Sequence, residues 1–381
     1  MGSPQVERIL DPSLSPSTII FINRLKPLKS METNYDPLNI FLEKYEKDKR
    51  GFSFEAKDLS EWKTWRQGFR RKLTELIGLD FFEYTDISPE IVYRKKYPGY
   101  FREKVILRSD PYTAIPAYVL VPEGCEEPLP AVVAMHGHGY GKDDLVGIWE
   151  DGSDRVNPTS RGYQKDFALE LVKRGLLVIV PEQSGFGERR TRDDIARGSE
   201  QSSCKALSLW ALMMGTTTIG RRVWDAIRVV DYIFTRSDVD HSRIGMMGIS
   251  GGGTTTLFTT ALDDRIKVVV ISGYLNTFRS SILAVDHCID NYVPGILRYG
   301  EMYDVAALIA PRPLLVESGS KDPIFPIEAA KYAYEQIRRA YALLKAEDRL
   351  DADFFEGRHE ISGRKSYEFM VKWLNESPDA Q

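Results

Sequence analysis

A serine set between glycines is the first feature of this sequence that could do chemistry. Gly248, Ser250 and Gly252 form a G-x-S-x-G motif, whose serine directly follows the β-like run 244–249 and which leads into the helix-like run 254–262. In that setting the serine lies on a sharp strand-to-helix turn, where a helix N-terminus favours negative charge and glycines leave room for closely packed backbone. We therefore predict that Ser250 is a nucleophile; a structural glycine-rich turn is the alternative.

A serine hydroxyl needs a base that takes its proton, and the chain offers five histidines for that role. In the fold that carries this motif, the nucleophile comes first along the chain, the acid second and the histidine last. That order selects His359, near the C-terminus, as the base. The acid should follow a late strand and precede a helix, which selects Asp322 after the strand-like run 314–317. Three aspartates that precede this run are weaker candidates for the acid: Asp286, Asp290 and Asp304.

Backbone N–H groups that stabilise a developing oxyanion are the remaining part of such a site. One donor should be Gly251, directly after the serine. The other should be His138, in the glycine-rich loop 136–141 that follows the strand-like run 131–135. His136 and His138 could instead bind a metal, because alternate residues of an extended chain share a face, but no third ligand with fitting spacing follows. The sequence therefore predicts no metal and no cofactor.

Strands and helices must position these residues, and the sequence alternates between the two. Three runs with two-residue periodicity and short turns between them predict an antiparallel meander: 90–96, 101–108 and 114–121. Five near-continuous apolar runs predict parallel strands buried on both faces: 131–135, 176–180, 244–249, 268–271 and 314–317. Helical patterns fill the gaps. We predict an α/β fold with a mostly parallel sheet, antiparallel N-terminal strands and flanking helices.

The residues before the sheet divide into two segments. Prolines without a sustained period predict an extended arm or leader over residues 1–34. Residues 35–86 are predicted as a helical extension, in which an apolar stripe runs from a capping residue, Asp58, to a helix-ending glycine, Gly78. The α/β domain then covers residues 87–377.

Composition and charge exclude several classes of protein. The 381 residues contain 51 Lys+Arg and 55 Asp+Glu, so the net charge is −4 and no basic field attracts nucleic acid. No apolar run reaches the ~20 residues of a membrane span or the ~7–15 residues of a signal-peptide core. The three scattered cysteines argue against a disulfide framework. We predict a cytoplasmic protein that binds neither nucleic acid nor membranes.

Several stretches resemble the α/β-hydrolase superfamily, and within it the dienelactone hydrolase-like and acetyl xylan esterase-like enzymes. They are residues 136–139, 181–187, 243–252, 310–314 and 322–323. Together they cover roughly residues 100–375, and His359-Glu360 is similar to the His-Glu ending of acetyl xylan esterase-type enzymes. The resemblance implies the α/β-hydrolase fold, a serine nucleophile, an acyl-enzyme and carboxylic ester substrates.

We expect a serine hydrolase of the carboxylesterase type, which acts on small, short-acyl esters through Ser250, His359 and Asp322. A serine peptidase of the prolyl oligopeptidase type and an acyltransferase are the alternatives, since they use the same catalytic domain. A catalytically silent binding protein is a third hypothesis, and the presence of all three residues argues against it.

The substrate pocket is the least specified part of the site. The long apolar segment 274–307 lies between two predicted strands and is predicted to form a small cap over the acyl pocket, with surface packing as the alternative. Five residues are expected to line the pocket: His136, Glu182, Tyr292, Ile296 and Leu297. The expected partner is a small-molecule ester. The helical extension either covers a pocket or mediates a homodimer, and the sequence leaves both open.

Overall fold

The structure is a computed structural model that describes residues 35–126, 128–155, 162–198 and 201–376. The arm predicted over residues 1–34 lies outside these residues. In the described parts, nine strands form one sheet: β1 (Glu90–Tyr97), β2 (Tyr100–Arg108), β3 (Ala114–Pro122), β4 (Leu129–Met135), β5 (Leu177–Pro181), β6 (Val239–Ile249), β7 (Val268–Ser272), β8 (Leu314–Gly319) and β9 (Leu350–Phe355).

Ten α-helices precede the sheet or alternate with its strands in the same described residues. They are α1 (Asn39–Lys47), α2 (Leu59–Ile77), α3 (Phe167–Val172), α4 (Arg192–Arg197), α5 (Cys204–Met213), α6 (Thr218–Ile233), α7 (Gly251–Leu262), α8 (Met302–Ala307), α9 (Ile327–Leu343) and α10 (Ser366–Asn375).

The order of strands across the sheet is β1-β2-β3-β5-β4-β6-β7-β8-β9. The pairs β1–β2, β2–β3 and β3–β5 are antiparallel, and every pair from β5 to β9 is parallel. This arrangement confirms the prediction of a mostly parallel sheet with antiparallel N-terminal strands. Strand β6 starts earlier than the predicted run 244–249, because its first residue, Val239, still pairs with Leu129 of β4.

Burial explains why the parallel strands read as continuous apolar runs. Every residue of β4, β5, β7 and β8 is buried, since helices cover both faces of the sheet there. Strand β1, at the edge of the sheet, is exposed along almost its whole length. The distribution of apolar residues along each strand therefore indicates whether other elements cover its faces.

Helix α2 forms where the capping residues predict it. The Asp58 carboxylate accepts hydrogen bonds from the N–H groups of Ser60 and Glu61, and Gly78 ends the helix with a φ of +63°. On its inner face Phe69, Leu73 and Ile77 are fully buried in the main hydrophobic core. The prediction of an amphipathic helix is confirmed, and the buried part of its apolar stripe packs within the same chain.

Membrane spanning requires a helix that is both long and apolar. Among the residues that the structure describes, no helix meets both conditions.

The parallel sheet also sets where chemistry can occur. The carboxyl ends of parallel strands meet at one edge of a sheet, and ligand sites of α/β folds form in the loops that leave this edge. The loops and turns after β4, β6, β8 and β9 carry His138, Ser250, Asp322 and His359 respectively.

Candidate active site

Ser250 lies on a strained turn between β6 and α7. Its φ of +57° and ψ of −122° place it in a conformation that residues with a side chain rarely adopt. A Cβ atom on Gly248 would overlap the backbone of Gly252, and a Cβ on Gly252 would overlap the carbonyl oxygen of Met135. Both glycines of the motif are therefore required by backbone contacts, and the turn is the strand-to-helix elbow that the motif predicts.

His359 and Asp322 form a close pair. Nδ1 of His359 lies 2.7 Å from Oδ2 of Asp322, whose side chain is fully buried. The other carboxylate oxygen accepts hydrogen bonds from the backbone N–H groups of Ile324 and Phe325, at 2.8 and 3.0 Å. Both oxygens are thus occupied, so the carboxylate holds the imidazole in one orientation.

The other aspartates considered for the acid have different surroundings. Asp290 forms an ion pair with Arg222, and Asp304, in the first turn of α8, accepts hydrogen bonds from the backbone N–H groups of Phe54 and Glu301. Asp286 is exposed.

Two aromatic rings hold the His359 imidazole from the sides. The centroid of the Tyr163 ring is 5.5 Å from that of the imidazole, and the centroid of Phe325 is 5.6 Å away, both in stacked orientation. The Tyr163 hydroxyl donates a hydrogen bond of 2.6 Å to the carbonyl of His138. Tyr163 therefore connects His359 with the loop that carries His138.

Sequence reasoning did not identify Tyr163. It belongs to no motif and joins the site only through the loop that precedes α3, so the sequence contains no signal for its position.

The residues predicted to supply the oxyanion hole adjoin each other. Gly251 is the first residue of α7, where backbone N–H groups have no partner within the helix. A Cβ on Gly251 would lie 3.1 Å from Nδ1 of His138. The loop that carries His138 is held by Gln164, whose side-chain oxygen accepts a 2.7 Å hydrogen bond from Gly137 N–H. The geometry brings the elbow and this loop together on one side of Ser250.

The side chain of His138 has charged neighbours that the sequence did not predict. Its Nε2 lies 3.3 Å from Oδ2 of Asp290 and 4.0 Å from Sγ of Cys204. Arg222 contacts the same groups, at 2.7 Å from Asp290 Oδ2 and 3.4 Å from Cys204 Sγ. Asp225, three residues further along α6, pairs instead with Arg189 and Arg221.

These contacts raise the pKa of His138 and Cys288 and lower the pKa of Cys204 and Asp290; for Cys288 the causes are the hydrogen bond with Cys204 and burial. Burial acts to lower the pKa of His138, but hydrogen bonds with Asp290 and Cys204 outweigh it and raise that pKa to about 9. The hydrogen bond with Cys288, supported by the charge of Arg222, lowers the pKa of the Cys204 thiol to about 5 although burial opposes it. Burial also opposes the charge of Asp290, yet Arg222 and His138 hold its pKa well below the usual range. The cluster is thus strongly polar for a buried region.

Three of the predicted pocket residues lie together at a separate cavity. Tyr292, Ile296 and Leu297 line a space of about 140 Å³ together with Phe278 and other residues of the segment 274–307. Ser250 is not among the residues that line it. The structure thus groups these three side chains but places their cavity apart from the serine.

The other two predicted pocket residues, His136 and Glu182, lie in the interior beneath the loop. The side chains of both are fully buried. Nδ1 of His136 donates to the carbonyl of Gly137 at 2.8 Å, and its Nε2 accepts from the N–H of Gln183 at 3.0 Å. Glu182 Oε1 is 3.2 Å from the same Nε2, but Gln183 already supplies the proton there, so the ionic partner of Glu182 is Lys142. We assign both residues a supporting role.

Glu182 and Lys142 form an ion pair without solvent exposure. The Lys142 ammonium lies 3.1 Å from Glu182 and 2.5 Å from Glu188, while the backbone N–H of Lys142 donates to Glu182 at 2.9 Å. Burial by itself would raise the pKa of Glu182, but the charge of Lys142 outweighs it and lowers the pKa to about 2. The carboxylate thus stays charged in the folded protein at pH values where the unfolded chain takes up a proton.

We expect Glu182→Gln to destabilise the protein near neutral pH by roughly 3 kcal/mol, because Lys142 loses a charged partner. The pKa of Glu182 is lower in the folded state, so its contribution is present above about pH 4.5 and is lost as the pH falls towards about 2. Urea unfolding of the wild type and of Glu182→Gln at a series of pH values measures the difference in their free energies of unfolding. The difference between them should shrink with falling pH, and a difference that stays constant would contradict the assignment.

The comparisons with known proteins agree with this architecture. The model of the Abhydrolase family matches residues 40–362. YtaP of Bacillus subtilis (strain 168), a provisionally assigned hydrolase, is 30% identical over 322 residues, which cover 80% of this chain and 98% of YtaP.

Solved structures of esterases have the same fold. A provisionally assigned acetyl xylan esterase from Bacteroides fragilis superposes with a TM-score of 0.73 at 19% identity, covering 91% of this chain and 92% of that protein. A glucuronoyl esterase from Solibacter usitatus superposes with a TM-score of 0.60 at 15% identity, covering 83% of this chain and 93% of that protein. The expectation of the α/β-hydrolase fold is confirmed.

Proposed function

This chain belongs to the Abhydrolase family, and from that premise we propose that it is a carboxylic ester hydrolase that works through Ser250, His359 and Asp322. One observation carries the proposal: the His359 imidazole is paired with the buried Asp322 carboxylate at 2.7 Å, at the same edge of the sheet as the strained turn that holds Ser250. A nucleophile, a base and a group that orients the base are the parts that acyl transfer to serine needs.

The reaction starts at the serine. Oγ of Ser250 attacks the ester carbonyl while Nε2 of His359 takes the hydroxyl proton. Asp322 accepts the Nδ1–H of the imidazole, which keeps the proton-accepting nitrogen directed at the serine and stabilises the imidazolium that forms. The tetrahedral intermediate then collapses, the leaving alcohol receives the proton from His359, and an acyl-enzyme remains.

The second half repeats these steps with water. His359 takes a proton from water, the resulting hydroxide attacks the acyl-enzyme, and Ser250 regains its proton as the carboxylic acid leaves. In both halves the negative charge on the carbonyl oxygen needs donors, and the N–H groups of Gly251 and His138 are the pair we assign to it. Each such donor is worth on the order of 10²–10³ in rate.

Small acyl groups suit the surroundings of Ser250. The serine is only 9% exposed. The ring of Phe186 lies 4.9 Å from that of His138, and Tyr163 and Phe325 stand on the two sides of His359. Aromatic side chains thus surround the reacting groups, and an acyl chain of a few carbons would fit such an enclosed space best.

We expect hydrolysis of p-nitrophenyl esters to decrease with acyl length, with kcat/KM at least about tenfold lower for octanoate than for butyrate. Initial rates from acetate to decanoate test this. Rates that rise towards decanoate would contradict the short-acyl proposal. Cleavage of a prolyl anilide without any ester hydrolysis would contradict the ester hydrolase proposal and favour a peptidase.

A further inference from the structure

Four side chains next to the proposed site offer donor atoms that the ester reaction does not use. His138, Cys204, Cys288 and Asp290 each contribute one such atom, and these atoms all lie within 4.8 Å of one another. We propose that this cluster binds a thiophilic divalent cation of the Zn²⁺ type. The proposal rests on these side chains and not on the ester hydrolase function.

The spacing of the donor atoms is close to what tetrahedral zinc requires. Zinc bonds of about 2.0–2.3 Å to nitrogen, oxygen and sulfur place neighbouring donors roughly 3.3–3.8 Å apart. Nε2 of His138 and Oδ2 of Asp290 are already 3.3 Å apart, and Sγ of Cys204 is 4.0 Å from the same nitrogen. Small side-chain movements would therefore complete the coordination.

The charge of the cluster also favours a dication. In the protonation states that metal binding requires, with both thiols deprotonated and His138 neutral, Cys204, Cys288 and Asp290 carry three negative charges, and Arg222 supplies one positive charge next to Asp290 and Cys204. The sum is −2, which a divalent cation neutralises, and buried charges are stable only when they are compensated. Arg222 then acts as the partner that orients two of the ligands.

The ligand types point to the same class of metal. Two thiolates, one imidazole and one carboxylate form a soft, four-donor set typical of zinc, whereas magnesium and calcium prefer oxygen donors alone. The His138 side chain keeps 33% of its surface exposed, so an ion can reach the cluster from solvent. Binding would release the thiol protons and any proton on Nε2 to water.

Three distant parts of the chain would be joined by the metal. His138 follows β4, Cys204 begins α5, and Cys288 and Asp290 belong to the segment 274–307 between β7 and β8. In the structure, hydrogen bonds and ion pairs connect their polar groups. The cation would therefore fasten this segment to the loop that carries a proposed oxyanion donor, and it should stabilise the folded protein by mass action.

Titration of the reduced protein with Co²⁺ tests the proposal directly. We expect one cobalt per chain, with thiolate-to-cobalt charge-transfer absorption and the visible bands of tetrahedral cobalt, and displacement of cobalt by zinc. Zinc should also raise the Tm of the wild type. Cys204→Ser and Cys288→Ser should each weaken zinc binding by more than about 100-fold, since loss of even an outer partner costs 10–100-fold.

Cys125→Ser is the matched control, because Cys125 is exposed and lies outside the cluster. It should bind cobalt like the wild type. The proposal is wrong if the reduced wild type shows no thiolate-to-cobalt absorption, or if the absorption is lost in Cys125→Ser and kept in Cys204→Ser and Cys288→Ser. A Cys204–Cys288 disulfide in air, together with no metal binding after reduction, would make the pair a redox couple and equally overturn the metal site.

Discussion

Replacing Ser250 with alanine is expected to lower kcat for ester hydrolysis by about 10⁴–10⁶-fold, the range observed when a catalytic serine is removed. Without Oγ no acyl-enzyme can form, and the remaining rate comes from substrate binding and oxyanion stabilisation alone. Alanine also has a Cβ, so it meets the same backbone restriction at a φ of +57° as serine does. We therefore expect the Tm to change little.

The matched control is Ser242→Ala. Ser242 lies on the same strand, β6, but near its other end, and it is exposed. Its replacement should leave kcat within about twofold of the wild type. Initial rates on p-nitrophenyl acetate, with the Tm of each variant, check both expectations. Retained activity in Ser250→Ala with an unchanged Tm would show that the nucleophile lies elsewhere.

Replacing Asp322 with asparagine is the second change for which we expect a very large effect, a drop in kcat of about 10³–10⁴-fold. The asparagine keeps the shape of the side chain but loses its charge, so it no longer stabilises the imidazolium of His359. Its amide can also present an N–H to Nδ1, which favours the wrong tautomer. Because Asp322 orients the base and does not bind substrate, KM should change much less than kcat.

Asp286→Asn provides the comparison. Asp286 is one of the weaker candidates for the acid and is exposed in the structure. We expect near wild-type kcat and KM for this variant. Steady-state kinetics on one short ester separate the two residues. If Asp322→Asn lowered kcat less than Asp286→Asn did, the acid of the site would have to be reassigned.

The strands and helices of the fold could be predicted because local patterns of apolar and polar residues indicate which faces of each element are buried. The strands β4, β5, β7 and β8 are apolar throughout since both faces of each strand are covered. Helix α2 was recognisable from Asp58 and Gly78, which satisfy backbone groups within a few residues of themselves. The start of β6 was missed because pairing with β4, and not the apolar pattern, extends it to Val239.

The surroundings of the predicted pocket residues could not be inferred from the local sequence. His136 and Glu182 were expected at the substrate, but the structure buries them in a network with Gln183 and Lys142. A histidine next to a glycine-rich loop has the same local sequence whether its ring faces substrate or the interior. Only the groups that surround the ring in the folded chain distinguish a histidine that faces substrate from one that faces the interior.

By itself the sequence determined the order of the strands and helices along the chain and the strand-to-helix turn at Ser250, and it predicted that His359 pairs with Asp322, because each depends on residues a few positions apart or on their order. Only the tertiary structure decided which side chains surround them. Tyr163 beside His359, and Cys204, Cys288 and Asp290 around His138, come from segments far apart in the chain. Such contacts depend on how helices and loops pack over the sheet, and local patterns carry no information about that packing.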